Sequence, residues 1–133
     1  MDPLRSPPTA VAIIEDDPSF RRALRRLLGL RGFRAEAFAS AEEFLQRSAT
    51  DVPDCIVLDI YLGGMSGLEL QAELAVTAAD IPIVFITAFD DPVTRQRALE
   101  SGAAGYLQKP FDDTSLLDAI ARAVARGPPG SRS

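Results

Sequence analysis

The sequence predicts an α/β fold, a three-layer sandwich in which five parallel strands form a central sheet with helices on both faces. Three observations predict it. Short apolar runs recur along the chain, at Val11-Ala12-Ile13-Ile14, Cys55-Ile56-Val57-Leu58, Ile83-Val84-Phe85-Ile86 and Gly105-Tyr106-Leu107, and unbroken runs of this length mark strands buried on both faces. Segments of helical period lie between them, and strands alternating with helices specify a parallel sheet joined by right-handed crossovers. At 133 residues, 47% hydrophobic and 25% charged, the chain has the size and composition of one folded domain. Each apolar run stops abruptly: at Glu15-Asp16-Asp17, Asp59, Thr87 and Gln108-Lys109-Pro110. In a parallel sheet these polar ends gather along one carboxyl edge, where ligands of such folds bind.

The elements follow in order. Residues 1–9, with Pro3, Pro7 and Pro8, lack periodicity and read as a flexible tail; the domain is expected over 10–126, and 127–133 as a second tail or linker. Strand one is Val11 to Ile14. Asp17 as N-cap and Pro18 at the first helical position open helix one. That helix shows Phe20, Ala23, Leu24, Leu27 and Leu28 on one face and Arg21, Arg22, Arg25 and Arg26 on the other, and Gly32 ends it. Phe33 to Phe38 alternates weakly, as a half-wet edge strand does. Ser40 with Glu43 predicts a capping box for helix two, which carries Phe44 and Leu45 inward before Asp51-Val52-Pro53 breaks it. After strand three, Gly63-Gly64-Met65-Ser66-Gly67 makes a turn, and Ser66 with Glu69 caps a helix through Leu70 and Leu74. Pro82 precedes strand four, where a missing donor is tolerated. Asp91-Pro92 opens helix four and Gly102 closes it; helix five spans about Asp113 to Ala125, with Leu116, Leu117, Ile120 and Val124 apolar.

The formal net charge is -5, which favours a cationic ligand and argues against nucleic acid as a direct partner of this domain. There is no histidine, so the commonest general base and transition-metal ligand are missing and Ser-His-Asp chemistry is excluded. The single cysteine, Cys55, falls in a core strand and fits a reducing compartment. No apolar stretch approaches the roughly 20 residues that span a bilayer. Met1 to Arg5 lacks the apolar core of a signal peptide, so a cytoplasmic, non-membrane protein is expected.

If Glu15, Asp16 and Asp59 converge, their repulsion must be compensated: two carboxylates about 4 Å apart repel by roughly 4 kcal/mol at an effective dielectric near 20. Lys109 supplies one positive charge, and a divalent ion would supply the rest. Carboxylate and carbonyl oxygens without His or Cys are ligands for Mg2+ or Mn2+ rather than zinc. A carboxylate beside such an ion, an ammonium and a hydroxyl is suited to accept a phosphoryl group. Thr87 could donate to that group, and the small Ala88 leaves room for its donor. Glu15 and Asp16 also have a plainer reading, as acids favoured by a helix N-terminus.

In this order, each at a strand end, Ile14-Glu15-Asp16-Asp17, Leu58-Asp59, Thr87-Ala88 and Lys109-Pro110-Phe111 resemble the motifs of the receiver domain of two-component response regulators. The resemblance covers about Val11 to Ala125. It implies a flavodoxin-like (βα)5 fold with strand order 2-1-3-4-5. It also implies a phosphoacceptor, not an enzyme in the turnover sense: Asp59 would take a phosphoryl group from a sensor histidine kinase or a histidine phosphotransfer protein. Mg2+ would be held by Asp16, Asp59 and the backbone carbonyl of Tyr61, with Glu15 acting through water. Thr87 and Tyr106 would form the switch, Lys109-Pro110 a cis peptide, and the helix four, strand five, helix five surface the output, including a phosphorylation-dependent homodimer. Phe20, Arg22, Arg26, Pro110 and Phe111 are the kinase-docking candidates; for the arginines a solvated face is the plainer reading.

Three departures from the family pattern stand out. Glu15 replaces an Asp, Gly63 stands where proline is usual, and Tyr61 and Phe89 are bulky where they flank the site. The last pair is expected to restrict hydrolytic water. Two other functions compete: an Mg2+-dependent phosphohydrolase with an aspartyl nucleophile, and a flavodoxin-like ligand-binding module. The first wants an acid where Tyr61 stands. The second wants a phosphate-cradling loop where Glu15-Asp16-Asp17 would repel phosphate. The residues after Ala125 are too few for an output domain.

Overall fold

The computed structural model describes residues 7–47, 52–77 and 80–126. Five strands, β1 (Ala10–Ile14), β2 (Arg34–Phe38), β3 (Cys55–Asp59), β4 (Ile83–Thr87) and β5 (Gly105–Gln108), alternate with five helices, α1 (Pro18–Leu30), α2 (Ala41–Leu45), α3 (Gly67–Val76), α4 (Pro92–Glu100) and α5 (Asp113–Arg126). All pairings are parallel and the order is β2-β1-β3-β4-β5, as expected. Both tails expected at the termini fall largely outside the described residues, at 1–6 and 127–133.

The alternation of side chains along each strand sorts the core into two layers. Val11, Ile13, Val57, Val84 and Ile86 pack with Leu24 and Leu28 of α1 and Leu116 and Ile120 of α5. Ala12, Ile14, Ile56, Leu58 and Phe85 pack on the other face with Phe44 of α2, Leu70 and Leu74 of α3 and Ala98 of α4. Ile14 is in register with Leu58, so the next pair outward is Glu15 beside Asp59. Both continue the series that faces α1 and α5, and Thr87, continuing Ile83 and Phe85, faces the other way.

The expected caps are present where the local chemistry is strongest. Asp17 accepts from the Ser19 and Phe20 N–H groups, Asp91 from Val93 N–H, and Ser66 and Glu69 form a reciprocal box. Four local expectations need correction. The Ser40 hydroxyl accepts from Glu43 N–H, but Glu43 takes its return bond from Ala39 N–H instead of closing the box on Ser40. Helix two ends at Leu45, before the Val52-Pro53 break, and Leu45 is exposed, because one and a half turns can turn only Ala41 and Phe44 to the sheet. Ala23 of α1 is exposed, lying beside rather than under the Leu24–Leu28 ridge. Arg21 is not on the solvated face: its guanidinium folds back on the β1–α1 loop.

Candidate functional site

At the carboxyl edge the sheet brings Glu15, Asp16 and Asp59 together, with one carboxylate oxygen from each within 4.8 Å of the others. Glu15 and Asp59 are buried, at 1% and 5% exposure, while Asp16 is exposed. Lys109 lies between the two buried acids. Its Nζ donates to Glu15 Oε1 at 2.6 Å and to Asp59 Oδ2 at 3.0 Å. The other oxygens are taken by backbone: Tyr61 N–H donates to Asp59 Oδ1 at 2.9 Å, and Asp17 N–H to Glu15 Oε2 at 3.0 Å. Lys109 reaches the site from the loop after β5, through a cis bond to Pro110, and its ammonium sits 4.5 Å from the centre of the Phe20 ring. Phe20 in turn meets Phe111 edge to face at 5.8 Å. Phe20, expected to dock a partner, thus also covers the lysine, with Phe111 packed against it, while Arg22 and Arg26 are exposed on α1.

Burial and hydrogen bonding together set the titration of Glu15 and Lys109. Burial, opposed by the hydrogen bonds from Lys109 and Asp17 and aided by the Asp59 charge, raises Glu15 to about 7. Burial alone would lower the Lys109 ammonium, but its bonds to Glu15 and Asp59 outweigh that and hold it above its usual value. The folded chain therefore binds a proton at Glu15 that the unfolded chain has released. Stability of the metal-free protein is expected to fall as pH rises from 4.5 to about 7. Thermal unfolding at pH 5 and pH 8 in EDTA checks the sign; a lower midpoint at pH 5 would contradict it.

Thr87 is fully buried, and its hydroxyl is committed to the loop that follows it, donating to Phe89 O at 3.0 Å and accepting from Phe89 N–H at 3.1 Å. Ala88 beside it is exposed. The Tyr106 ring packs against the core on the α3 and α4 side, with the Arg95 guanidinium 5.3 Å from its centre. Its hydroxyl is buried and, among the described residues, has no partner in hydrogen-bonding geometry; burial, with Asp90 alongside, raises its pKa. Tyr61 and Phe89 meet across the mouth of the site, edge to face, at 5.6 Å and 87°.

Two contributors escaped the sequence reading. Glu42 of α2 accepts from Met65 N–H at 2.9 Å, bracing the Gly63-Gly64 turn that follows Asp59. Arg21 donates to the backbone carbonyls of Glu15 and Asp16. A charged side chain at a helix start gives no signal of this kind, because its direction depends on the tertiary arrangement.

The donor set is all oxygen, and its spread is close to the roughly 4.2 Å that separates ligands across a Mg2+ ion bound at about 2.1 Å. An acidic cluster compatible with a divalent metal is therefore present, next to a lysine and a threonine. The fold and this edge define an α/β domain with a cation-attracting centre at the ends of β1 and β3. Residues 11–121 match the response regulator receiver domain, and the chain belongs to that family. It is 47% identical over 116 residues to nodulation protein W of Bradyrhizobium diazoefficiens, covering 87% of this chain and 51% of that protein. It is 38% identical over 119 residues to response regulator MprA of Mycolicibacterium vanbaalenii, covering 90% and 51%. The chain thus spans about half the length of these curated relatives. Among solved structures, response regulator StyR superposes with a TM-score of 0.83 at 42% identity, over 90% of this chain and 61% of that one. The crystal structure of FixJ-N gives 0.82 at 32% identity, over 88% and 94%. Among the described residues no helix is long and apolar enough to cross a membrane.

Proposed function

We propose that this receiver domain, assigned to residues 10–126, accepts a phosphoryl group on Asp59 from the phosphohistidine of a sensor kinase or a histidine phosphotransfer protein. The supporting observation is the Lys109 ammonium bonded at once to Glu15 and Asp59, a fixed positive charge beside a buried carboxylate. In the transfer an Asp59 carboxylate oxygen forms a bond to phosphorus while the donor N–P bond breaks, and the imidazole nitrogen keeps the electron pair. Asp16, Asp59 and the Tyr61 carbonyl would hold Mg2+ or Mn2+, with Glu15 acting through a water. Bound there, the ion neutralises charge on the transferring oxygens. Lys109 then exchanges a carboxylate contact for a phosphoryl oxygen, and Thr87 must leave Phe89 to reach another. Ala88 leaves space for the group, and the half-buried Tyr106 side chain follows the loop that Thr87 pulls.

The α4, β5 and α5 surface would carry the change to partners, including a second copy of this chain, in a cytoplasmic pathway without direct contact to nucleic acid. Phe20, Arg22, Arg26, Pro110 and Phe111 would seat the kinase. The chain acts as a phosphoacceptor, with self-phosphorylation from small donors and loss of phosphate as its own chemistry. Treating the protein with acetyl phosphate and Mg2+ and mapping the added group by peptide mass spectrometry tests this. The group is expected on the peptide containing Asp59; its recovery on any other peptide would count against the proposal.

The aromatic pair gives a rate prediction. Contact between Tyr61 and Phe89 covers the approach of water, and an aromatic pair contributes about 1 kcal/mol, or roughly fivefold in rate. Tyr61→Ala or Phe89→Ala should speed phosphate loss by about that factor, followed as release of inorganic phosphate. Unchanged or slower loss in both would remove the pair from this role.

A further inference from the structure

We propose that Arg21 is a positioning residue for the metal-binding loop, an inference that rests on the Mg2+ site proposed above. Its Nη1 donates to Glu15 O at 2.9 Å and to Asp16 O at 3.4 Å, the carbonyls of two residues whose carboxylates belong to the acidic cluster. Among the described residues these carbonyls receive no backbone donor outside the regular helix and sheet bonding. Glu15 N–H to Phe38 O and Asp17 N–H to Glu15 Oε2 also hold this loop, but its two carbonyls are braced by a side chain from the first turn of α1.

The placement of that cation runs against the helix. A helix N-terminus carries partial positive charge, and a basic side chain in the first turn is disfavoured there. Here α1 has no acid in its first turn, although the Asp17 carboxylate caps it. Arg22 adjoins Arg21 in sequence, yet it is exposed and, among the described residues, makes no hydrogen bond or ion pair with the loop. The guanidinium Nη1, shared between the two carbonyls, therefore sets the direction of the Glu15–Asp16 backbone, and through it the direction of the Asp16 carboxylate. Groups that orient metal ligands from outside the coordination sphere commonly change metal affinity by about tenfold or more when removed.

The sign of the effect separates positioning from simple charge. Deleting a cation close to three carboxylates should, by Coulomb attraction alone, tighten binding of a divalent ion. Loss of positioning should weaken it. The experiment titrates the full chain with Mn2+, followed by electron paramagnetic resonance of the free ion, with Mg2+ competition. For Arg21→Ala a Kd about tenfold weaker than wild type is expected, with Arg21→Lys in between. Arg22→Ala, which removes the same charge from the same helix, should bind as wild type or slightly tighter. Arg21→Ala binding as tightly as wild type, or tighter, overturns the proposal. Should Arg21→Ala fail to fold by circular dichroism, Arg21→Lys carries the test, and binding equal to Arg22→Ala overturns it. If wild-type protein binds neither ion, the metal-site reading itself fails and this proposal with it.

Discussion

Gly67→Ala is expected to destabilise the chain by about 1–3 kcal/mol, the range for forcing added carbon into a packed interior. A Cβ at Gly67 would lie 2.4 Å from Asp59 O and 2.9 Å from Ile60 Cα. Both atoms are backbone of the strand end that presents the site, so no side chain can swing aside to relieve the clash. Gly67 N–H also donates to Ile60 O at 2.9 Å, which fixes the start of α3 against the end of β3. Relief requires α3 to lift or Asp59 to shift, and either would pull the carboxylate away from Lys109. Gly63→Ala is the control: its Cβ would meet nothing within 4 Å, so its stability should stay close to wild type. Urea unfolding of the two variants decides; Gly67→Ala within about 0.5 kcal/mol of wild type, as expected of an uninvolved surface position, would contradict the packing described here.

The second large effect is at Lys109. Lys109→Met removes the cation bonded to Glu15 and Asp59 and leaves two buried carboxylates facing each other. Breaking a buried ion pair by deleting one partner costs about 3–5 kcal/mol. With the ammonium partly exposed at this sheet edge, a loss nearer 2–3 kcal/mol at pH 8 is expected, after allowing for solvent screening. The loss should shrink toward pH 5, because Glu15, already at about 7 with the lysine present, then holds a proton and the repulsion is gone. Mg2+ should recover part of the lost stability, since it replaces the missing charge. It should not recover phosphoryl acceptance, which is expected to fall by about 10²-fold or more, as when a fixed electrostatic donor is deleted. Unfolding at both pH values, with and without Mg2+, checks the first half and acetyl phosphate labelling the second. Equal destabilisation at pH 5 and pH 8 would argue against carboxylate repulsion as the cause.

Much of this was legible in the residues because parallel strands leave plain traces. Cys55 to Leu58 is buried on both faces and is apolar throughout, so Asp59 announces the strand end by contrast. Asp17-Pro18 and Asp91-Pro92 mark helix starts by chemistry that acts within a few residues, and both helices begin there. What was less legible depends on direction and distance. Leu45 satisfies a helical pattern on paper, but its helix is too short to turn it inward. Arg21 belongs to a run of arginines with one apparent face, and only the position of the β1–α1 loop turns it toward Glu15 O. Tyr61 and Phe89 were visible as bulky neighbours of the site, whereas their contact with each other requires two loops to meet. The Tyr106 hydroxyl is an edge-strand group that the surrounding loops bury.

The central claim is that Asp59 receives the phosphoryl group, and one comparison tests it most directly. Wild-type protein and Asp59→Asn are incubated with radiolabelled acetyl phosphate, each with Mg2+ and with EDTA, and incorporated label is counted. Wild type should take up label in Mg2+ and little in EDTA, and Asp59→Asn should take up none in either. Asp59→Asn labelled to the wild-type level in Mg2+ would contradict the account.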